Sequence, residues 1–256
     1  MSSEIAREYF ELLADAGMTK HLGSMEATRR LVEMCRIDDG KYVLDVGCGV
    51  GATPVYLAKN VGCRVMGVDL LDKMVDQSRE WGKAEGLEEL LDFRVADARE
   101  LPFDDNSFDV IISESVNVFF EDKSEAMREY IRVVNPGGYV GMTEITWLKP
   151  PSPEVEDSFK GMVDTHPLDE RGWKVVLEDA GLIDVIGSAH RIDIALEGRG
   201  RFERYRRRIT IKKLLSMLGM FLSDRRMRQI VKGGAGAVSK DLVDVVGYGV
   251  YAGRKV

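Results

Sequence analysis

Short apolar runs alternate with amphipathic segments between residues 42 and 147. The runs are rich in Val, Ile, Leu and Phe, which predicts buried strands, whereas the segments repeat apolar positions every three or four residues, which predicts helices. Strands and helices that alternate at such short spacing form a parallel sheet with helices on both faces. The strands are predicted to begin at Tyr42, Arg64, Leu91, Phe108 and Tyr139, with helices over 53–60, 71–85 and 124–134.

The pattern changes on either side of this region. Two amphipathic helices are predicted before it, and a proline-rich linker at 149–153 follows it. The chain is therefore expected to comprise N-terminal helices over 1–40 and an α/β domain over 41–256, with a basic helical insertion at 195–243. The further predicted elements are helices 4–17, 24–35, 154–163 and 169–180 and strands 181–194 and 244–253.

A glycine-rich turn follows the first predicted strand. Gly47, Gly49 and Gly51 occupy alternate positions, and a helix begins directly after them. Such a turn brings bare backbone N–H groups to a helix N-terminus, where a ligand can approach closely. Asp45 places a carboxylate beside the turn, which suits a ligand with positive charge better than one that is only phosphate.

Two ligand classes use a turn of this kind. Read as Gly47-x-Gly49-x-x-Ala52, the sequence satisfies the dinucleotide fingerprint of nicotinamide-dependent oxidoreductases. Read as Asp45-x-Gly47-x-Gly49-x-Gly51, it resembles the first motif of class I S-adenosylmethionine methyltransferases. The turn alone leaves both classes open.

An acid ends the second predicted strand. Asp69 can accept two hydrogen bonds from a ribose diol, and both ligand classes contain that diol. The alternative is an exposed aspartate at a strand end with no ligand. Asp69 therefore predicts an adenosine-type ligand without naming it.

Later motifs separate the two classes. Residues 96–98 read Ala-Asp-Ala, 101–103 read Leu-Pro-Phe, 108–113 read Phe-Asp-Val-Ile-Ile-Ser, and 136–138 read Pro-Gly-Gly. In this order and spacing, residues 41–147 resemble the class I S-adenosylmethionine methyltransferases. The resemblance is to small-molecule enzymes of ubiquinone and menaquinone biosynthesis and to sterol and amine methyltransferases. Nucleic-acid methyltransferases are not indicated, because Ser-Glu-Ser-Val stands where their Asn-Pro-Pro-Tyr motif would lie.

The resemblance implies a fold and a cofactor. The fold is a Rossmann-like, doubly wound, seven-stranded α/β sheet with an antiparallel last strand and a helical elaboration between the last two strands. The cofactor is S-adenosylmethionine: Asp45 would face its amino acid half, Asp69 its ribose and Asp97 its adenine, with the helices of 1–40 covering it. The positions expected to bind it are Asp45, Gly47, Cys48, Gly49, Asp69, Leu70, Asp97, Ala98, Ser113 and His21.

Methyl transfer needs mainly an in-line approach of the acceptor to an already activated methyl group. Glu114, just past the fourth strand, is the candidate for a base or for binding a cationic substrate; the alternative is a solvated rim residue. The accepting atom stays open among carbon, nitrogen, oxygen and sulfur. Further candidates for contact with the acceptor are Tyr9, Asn117, Glu144, Trp147 and His166.

Composition limits the class of protein. The 256 residues are 45% hydrophobic and 31% charged, as in a soluble globular domain, and no apolar run is long enough to span a bilayer. Cys35, Cys48 and Cys63 lack the CxxC spacing, so neither a disulfide scaffold nor a metal site is expected. With no signal-peptide pattern at the N-terminus, a cytoplasmic location is expected.

Charge is unevenly distributed. Residues 201–232 carry a local charge of +9, which leaves −16 on the remainder of a chain whose net charge is −7. Apolar positions within this segment follow helical spacing, as in helices that bind membrane surfaces. Packing against the acidic remainder or within a homodimer explains the pattern equally well, and nucleic-acid binding is less favoured. Two rival functions remain: a nicotinamide-dependent oxidoreductase and a non-catalytic scaffold that binds S-adenosylmethionine.

Overall fold

A computed structural model of the chain describes residues 4–15, 23–163, 165–193 and 244–256. Its helices are α1 (Glu4–Asp15), α2 (Ser24–Met34), α3 (Ala52–Asn60), α4 (Asp72–Ala84), α5 (Ser124–Val133), α6 (Pro153–Val163) and α7 (Glu170–Asp179), with a 3-10 helix at Asn117–Phe119. Its strands are β1 (Tyr42–Val46), β2 (Arg64–Asp69), β3 (Leu91–Val95), β4 (Phe108–Glu114), β5 (Val134–Trp147), β6 (Leu168–Asp169), β7 (Ile183–Arg191) and β8 (Val246–Arg254).

The strands form a single sheet in the order β3-β2-β1-β4-β5-β8-β7. Strands β1 to β5 pair in parallel, whereas β8 is antiparallel to both of its neighbours, β5 and β7. The Rossmann-like sheet with an antiparallel last strand is therefore confirmed. An eighth strand, β6, was not predicted; it has only two residues and pairs in parallel with the end of β5.

Both faces of the sheet are covered, as the continuous apolar strands require. Val43 belongs to a core cluster with α1, α3 and α4, while its neighbour Leu44 belongs to a second cluster with α5 and α7. Successive residues of a strand point to opposite faces, so β1 contributes to both cores. The predicted doubly wound arrangement follows from this alternation.

The Pro-Gly-Gly motif interrupts the pairing of β4 with β5. Phe108 pairs with Val134, but the next pair is Val110 with Tyr139, so residues 135–138 bulge out of the ladder. Gly137 has φ of +78°, a conformation that glycine adopts without strain. The predicted turn and strand are therefore both present, and β5 begins five residues earlier than expected.

The strand order reverses between β1 and β4, because β2 and β3 lie on one side of β1 and β5 lies on the other. Ligands of such sheets bind outside the carboxyl ends of the strands at this reversal. The glycine turn after β1 lies at that point, so the topology places the expected site there.

Some expectations fall on residues that the structure does not describe. The basic insertion at 195–243 and His21 lie outside the described residues, and the division between 1–40 and 41–256 stays a prediction. The described ends of the insertion are nevertheless adjacent, because Arg191 of β7 pairs with Gly247 of β8. Within the described ranges, no helix is long and apolar enough to cross a membrane.

Candidate functional site

The glycine turn is held against β2 by its backbone. The N–H groups of Gly47 and Cys48 both donate to the Val68 carbonyl, at 2.8 and 2.9 Å. Gly47 has φ of +75°, and a Cβ atom there would collide with the Val116 side chain. Gly51 has φ of +86°, and a Cβ atom there would lie 3.0 Å from Ser78. Only glycine therefore allows the turn to pass this close to its neighbours.

Asp69 connects the turn to the end of β2. One of its carboxylate oxygens accepts from the Gly49 N–H at 3.0 Å, and the other accepts from the Leu71 N–H at 3.0 Å. Burial raises the pKa of Asp69 to about 6, although these hydrogen bonds favour its ionised form. The carboxylate lies in the wall of a cleft, where a ligand hydroxyl can reach it.

The cleft opens at the carboxyl ends of β1, β2 and β4. Its empty space amounts to about 820 Å³, a figure that includes space open to solvent. Leu70, on its wall, is 45% exposed and offers an apolar face to a ligand. Among the described residues that line the cleft there are three carboxylates and no Lys or Arg. The predicted residues that line it are Gly47, Gly49, Asp69, Leu70, Asp97, Ala98 and Glu114.

Asp45 lies behind the glycine turn, 2% exposed. Its Oδ2 atom is buried and has no hydrogen-bond partner within the described part of the chain. Burial, reinforced by the negative charges of Glu114 and Asp69, raises the pKa of Asp45 well above its usual value. A cation bound beside the turn would satisfy this oxygen and lower the cost of its charge.

Asp97 and Cys48 were both expected to contact the cofactor. Asp97 accepts from the guanidinium of Arg99 through both oxygens, at 3.1 and 2.8 Å, which lowers its pKa. An adenine amino group would therefore share this carboxylate with Arg99. Cys48 is buried, with its sulfur 3.9 Å from the Ser78 hydroxyl, and burial raises the pKa of its thiol. Its side chain does not line the cleft.

Glu114 is part of the cleft wall and is only 8% exposed. The Thr53 hydroxyl donates to its Oε1 at 2.7 Å, and the Thr28 hydroxyl donates to its Oε2 at 3.0 Å. The two donors come from α3 and α2 respectively, so both helices fix the position of the carboxylate. The structure thus differs from the alternative of a solvated rim residue.

Glu144 and Asn117 lie behind the wall, in correction of the expectation that they meet the acceptor. Glu144 is fully buried, and its carboxylate accepts from the backbone N–H groups of Val116, Asn117 and Val118 at 3.3, 2.8 and 3.2 Å. The Asn117 amide donates to both Glu144 and Ser113, at 3.0 and 3.1 Å. Burial raises the pKa of Glu144 to about 7. Buried Ser113 therefore supports the loop and does not line the cleft.

Trp147 and His166, which were also expected to contact the acceptor, do not line the cleft either. Trp147 packs its ring against Phe159 of α6, with centroids 5.0 Å apart, because β5 ends beneath that helix. His166 donates its backbone N–H to the Val118 carbonyl at 2.7 Å and so anchors the loop from outside. Tyr9 belongs to α1, whose neighbouring residue Phe10 does reach the cleft.

Two groups of site residues were missed by sequence reasoning. Thr28 and Thr53 fall in amphipathic helices, where no local pattern marks a threonine as a partner of a distant acid. The aromatic part of the wall is formed by Phe10, Phe119 and Phe120. It had a weak signal in the sequence, because Phe119 and Phe120 follow the end of the fourth strand by five and six residues.

Comparisons with known proteins agree with this geometry. A family model described as a methyltransferase domain matches residues 44–142. Phosphoethanolamine N-methyltransferase 1 of Arabidopsis thaliana is 36% identical over 166 residues, which cover 64% of this chain and 33% of that protein. An uncharacterised protein of Haemophilus influenzae is 31% identical over 178 residues, which cover 68% of this chain and 71% of that protein.

The fold matches solved structures over nearly its whole length. Phosphoethanolamine N-methyltransferase 2 of Haemonchus contortus, in complex with phosphomonomethylethanolamine and S-adenosylhomocysteine, superposes with a TM-score of 0.72. The match covers 96% of this chain and 57% of that chain at 19% identity, so it concerns the fold alone. The aligned region spans about a third of the length of the plant relatives.

Proposed function

Because the chain belongs to the class I S-adenosylmethionine-dependent methyltransferases, we propose that it transfers a methyl group from S-adenosylmethionine to a small organic acceptor. The observation that carries the proposal is the buried Oδ2 of Asp45, which lacks a partner in the described structure beside the glycine turn. The α-ammonium group of the cofactor supplies the cation that this oxygen requires.

The remaining residues of the cleft fit the rest of the cofactor. Asp69 would accept from both ribose hydroxyls, and the exposed face of Leu70 would pack against the adenine, with the Ala98 N–H donating to the ring. The bound cofactor supplies a methyl group activated by its sulfonium. Glu114 would lie on the acceptor's side, where it binds a cation or takes a proton.

A nicotinamide-dependent oxidoreductase is not supported. The dinucleotide reading of the turn requires the cleft to accept a pyrophosphate, yet the described lining contains Asp69, Asp97 and Glu114 and no basic side chain. Three carboxylates disfavour two further negative charges. The matching family model is described as a methyltransferase domain, and the Arabidopsis relative is named as a methyltransferase.

Calorimetric titration tests the proposal. S-adenosylmethionine and S-adenosylhomocysteine should each bind at one site, and NADH should give no fluorescence enhancement on mixing. Binding of NADH in preference to both adenosyl compounds would overturn the proposal. Transfer of isotopically labelled methyl to an acceptor panel then separates an enzyme from a non-catalytic scaffold, because a scaffold binds the cofactor without turnover.

For the basic segment 201–232, outside the described residues, we propose a peripheral contact with an anionic membrane surface in the cytoplasm, or a homodimer contact. Clustered Arg and Lys bind such surfaces in a salt-sensitive way. Sedimentation with phosphatidylserine vesicles should fall when Arg206, Arg207 and Arg208 are replaced by Gln. Equal sedimentation of both proteins would exclude the membrane contact, and light scattering would report the dimer.

A further inference from the structure

We propose that the hydroxyl group of Ser115 binds the carboxylate of S-adenosylmethionine and thereby selects a ligand with an intact amino acid half. The inference rests on the proposed function, since it concerns the same cleft and the same cofactor. Ser115 follows directly after β4 and lines the cleft beside Val116.

Ser115 lies across from the glycine turn, where the amino acid half of the cofactor is expected. Strands β1 and β4 pair in parallel with Val46 opposite Ser113, so the residues that follow the two strands are neighbours. The Val116 side chain shows this directly, because its Cγ2 atom occupies the space that a Cβ atom at Gly47 would need. A ligand bound beside the turn therefore lies close to residue 115.

The carboxylate of the cofactor needs a donor that the backbone of this region does not supply. The N–H groups of residues 47–49 already donate to the Val68 carbonyl and the Asp69 carboxylate of β2. Across the cleft, the N–H groups of residues 115 and 116 donate to acceptors on β5, at 2.7 and 3.3 Å. An anion bound here would have to break one of these contacts or find a side-chain donor.

Among the described residues that line the cleft, Ser115 has the only side chain that donates a hydrogen bond when the acids are ionised. The other lining side chains are apolar, apart from Asp69, Asp97 and Glu114, which accept. The Ser115 Oγ atom is buried and has no hydrogen-bond partner in the described structure. Rotation about χ1 can therefore turn the hydroxyl toward a ligand without breaking a hydrogen bond. Its contact with a carboxylate is charge-assisted and strong.

The backbone of Ser115 gives independent support. Its φ is +61°, a left-handed conformation that glycine adopts without strain and that costs free energy in serine. The N–H contacts of residues 115 and 116 with β5 hold this conformation, and residues strained in this way cluster at ligand-binding sites. Backbone geometry alone favours glycine here, so the serine side chain is expected to have a role of its own.

Three ligands test the inference by calorimetric titration: S-adenosylhomocysteine and its two analogues in which hydrogen replaces either the carboxyl group or the amino group. The wild-type protein should bind the decarboxylated analogue at least about tenfold more weakly than S-adenosylhomocysteine, as expected for loss of a hydrogen bond to a charged group. In Ser115→Gly, both ligands that keep the carboxylate should bind about tenfold more weakly than to the wild type. The affinity for the decarboxylated analogue should not change.

Matched variants separate the hydroxyl group from the backbone. Glycine suits the conformation of residue 115, so Ser115→Gly should fold, and circular dichroism checks this. Ser115→Asn also tolerates the left-handed conformation and supplies an amide donor, so it should keep part of the preference for the carboxylate. Ser107→Gly makes the same exchange just before β4, outside the described lining of the cleft, and should leave all three affinities unchanged.

Equal binding of S-adenosylhomocysteine and the decarboxylated analogue by the wild-type protein would overturn the inference, whatever the variants do. A preference for the carboxylate that survives in Ser115→Gly would also overturn it, and so would equal weakening of all three ligands in that variant. Failure of the wild-type protein to bind S-adenosylhomocysteine removes the proposed function as well. Normal binding of S-adenosylhomocysteine without an effect of Ser115 removes only the role of this serine.

Discussion

Under the proposed ribose assignment of Asp69, cofactor binding depends on pH, because only the ionised carboxylate accepts hydrogen bonds from both ribose hydroxyl groups. Burial raises the pKa of Asp69 to about 6. The affinity for S-adenosylhomocysteine should therefore rise by up to about tenfold between pH 5 and pH 7, as the ionised fraction grows. Calorimetry across this range measures the effect. Asp69→Asn should flatten the profile, whereas Asp76→Asn, which removes an exposed acid of α4, should not; a flat wild-type profile would contradict the ribose assignment.

Thr53 stabilises the protein through Glu114. Thr53→Val keeps the shape of the side chain but removes the 2.7 Å donor, so the free energy of unfolding should fall by about 1–3 kcal/mol. In the Glu114→Gln background the same change should cost less, because the two residues act through one contact. Urea denaturation of the four proteins gives the coupling. Equal costs in both backgrounds would show that Thr53 acts independently of Glu114.

A matched threonine gives the control for that cycle. The Thr143 hydroxyl is buried without a partner in the described structure, so Thr143→Val should leave stability unchanged or raise it slightly.

At the residue scale, the acids of the site were predictable and their partners were not. Asp45 and Asp69 stand at fixed distances from the glycine turn in the sequence, so local motifs mark them. Thr28 meets Glu114 from 86 positions away, and only the packing of α2 on the sheet creates that contact.

Among the elements, the short loop after β4 depends most on a single side chain. Glu144 accepts from three consecutive backbone N–H groups of residues 116–118 and so satisfies donors at the start of the 3-10 helix. This loop carries Val116 and Phe119 into the cleft. Glu144→Ala should therefore expose these amides before the rest of the sheet.

Hydrogen exchange followed by mass spectrometry measures that local change. Peptides covering 115–120 should lose protection in Glu144→Ala, while peptides of β1 and β2 keep theirs. Thr143→Val, one position earlier on the same strand, should leave the loop protected. Unchanged protection in Glu144→Ala would show that other contacts suffice to hold the loop.

Helices and strands were predicted correctly where the buried positions of the structure match the periodic apolar positions of the sequence. Strands β2 and β3 begin at the predicted residues, Arg64 and Leu91, because turns flank each apolar run closely. The two-residue β6 is too short for any periodic signal, and only its position beside the end of β5 makes it a strand. The early start of β5 was not predicted, because Pro136 and Gly137 give a strong turn signal in the sequence. The strand was therefore expected to begin only after them.

On the scale of the whole molecule, the pairing of β7 with β8 involves no residue of the basic insertion at 195–243. Strands β7 and β8 pair antiparallel up to Arg191 and Gly247, so a short turn could join them. Replacing residues 194–243 with a four-residue glycine-rich turn should preserve cooperative unfolding and S-adenosylhomocysteine binding. Circular dichroism and calorimetry check both, and loss of cofactor binding in a folded variant would place the insertion in the cofactor site.

The acidic cleft also has a consequence for turnover. S-adenosylmethionine carries a sulfonium charge that S-adenosylhomocysteine lacks, so each reaction would remove one positive charge from a cleft lined by Asp69, Asp97 and Glu114. The spent cofactor then loses a favourable interaction that the fresh one enjoys. The carboxylates that attract S-adenosylmethionine therefore also favour replacement of S-adenosylhomocysteine by a new methyl donor. We expect S-adenosylhomocysteine to inhibit the reaction less than it would in a cleft without these charges.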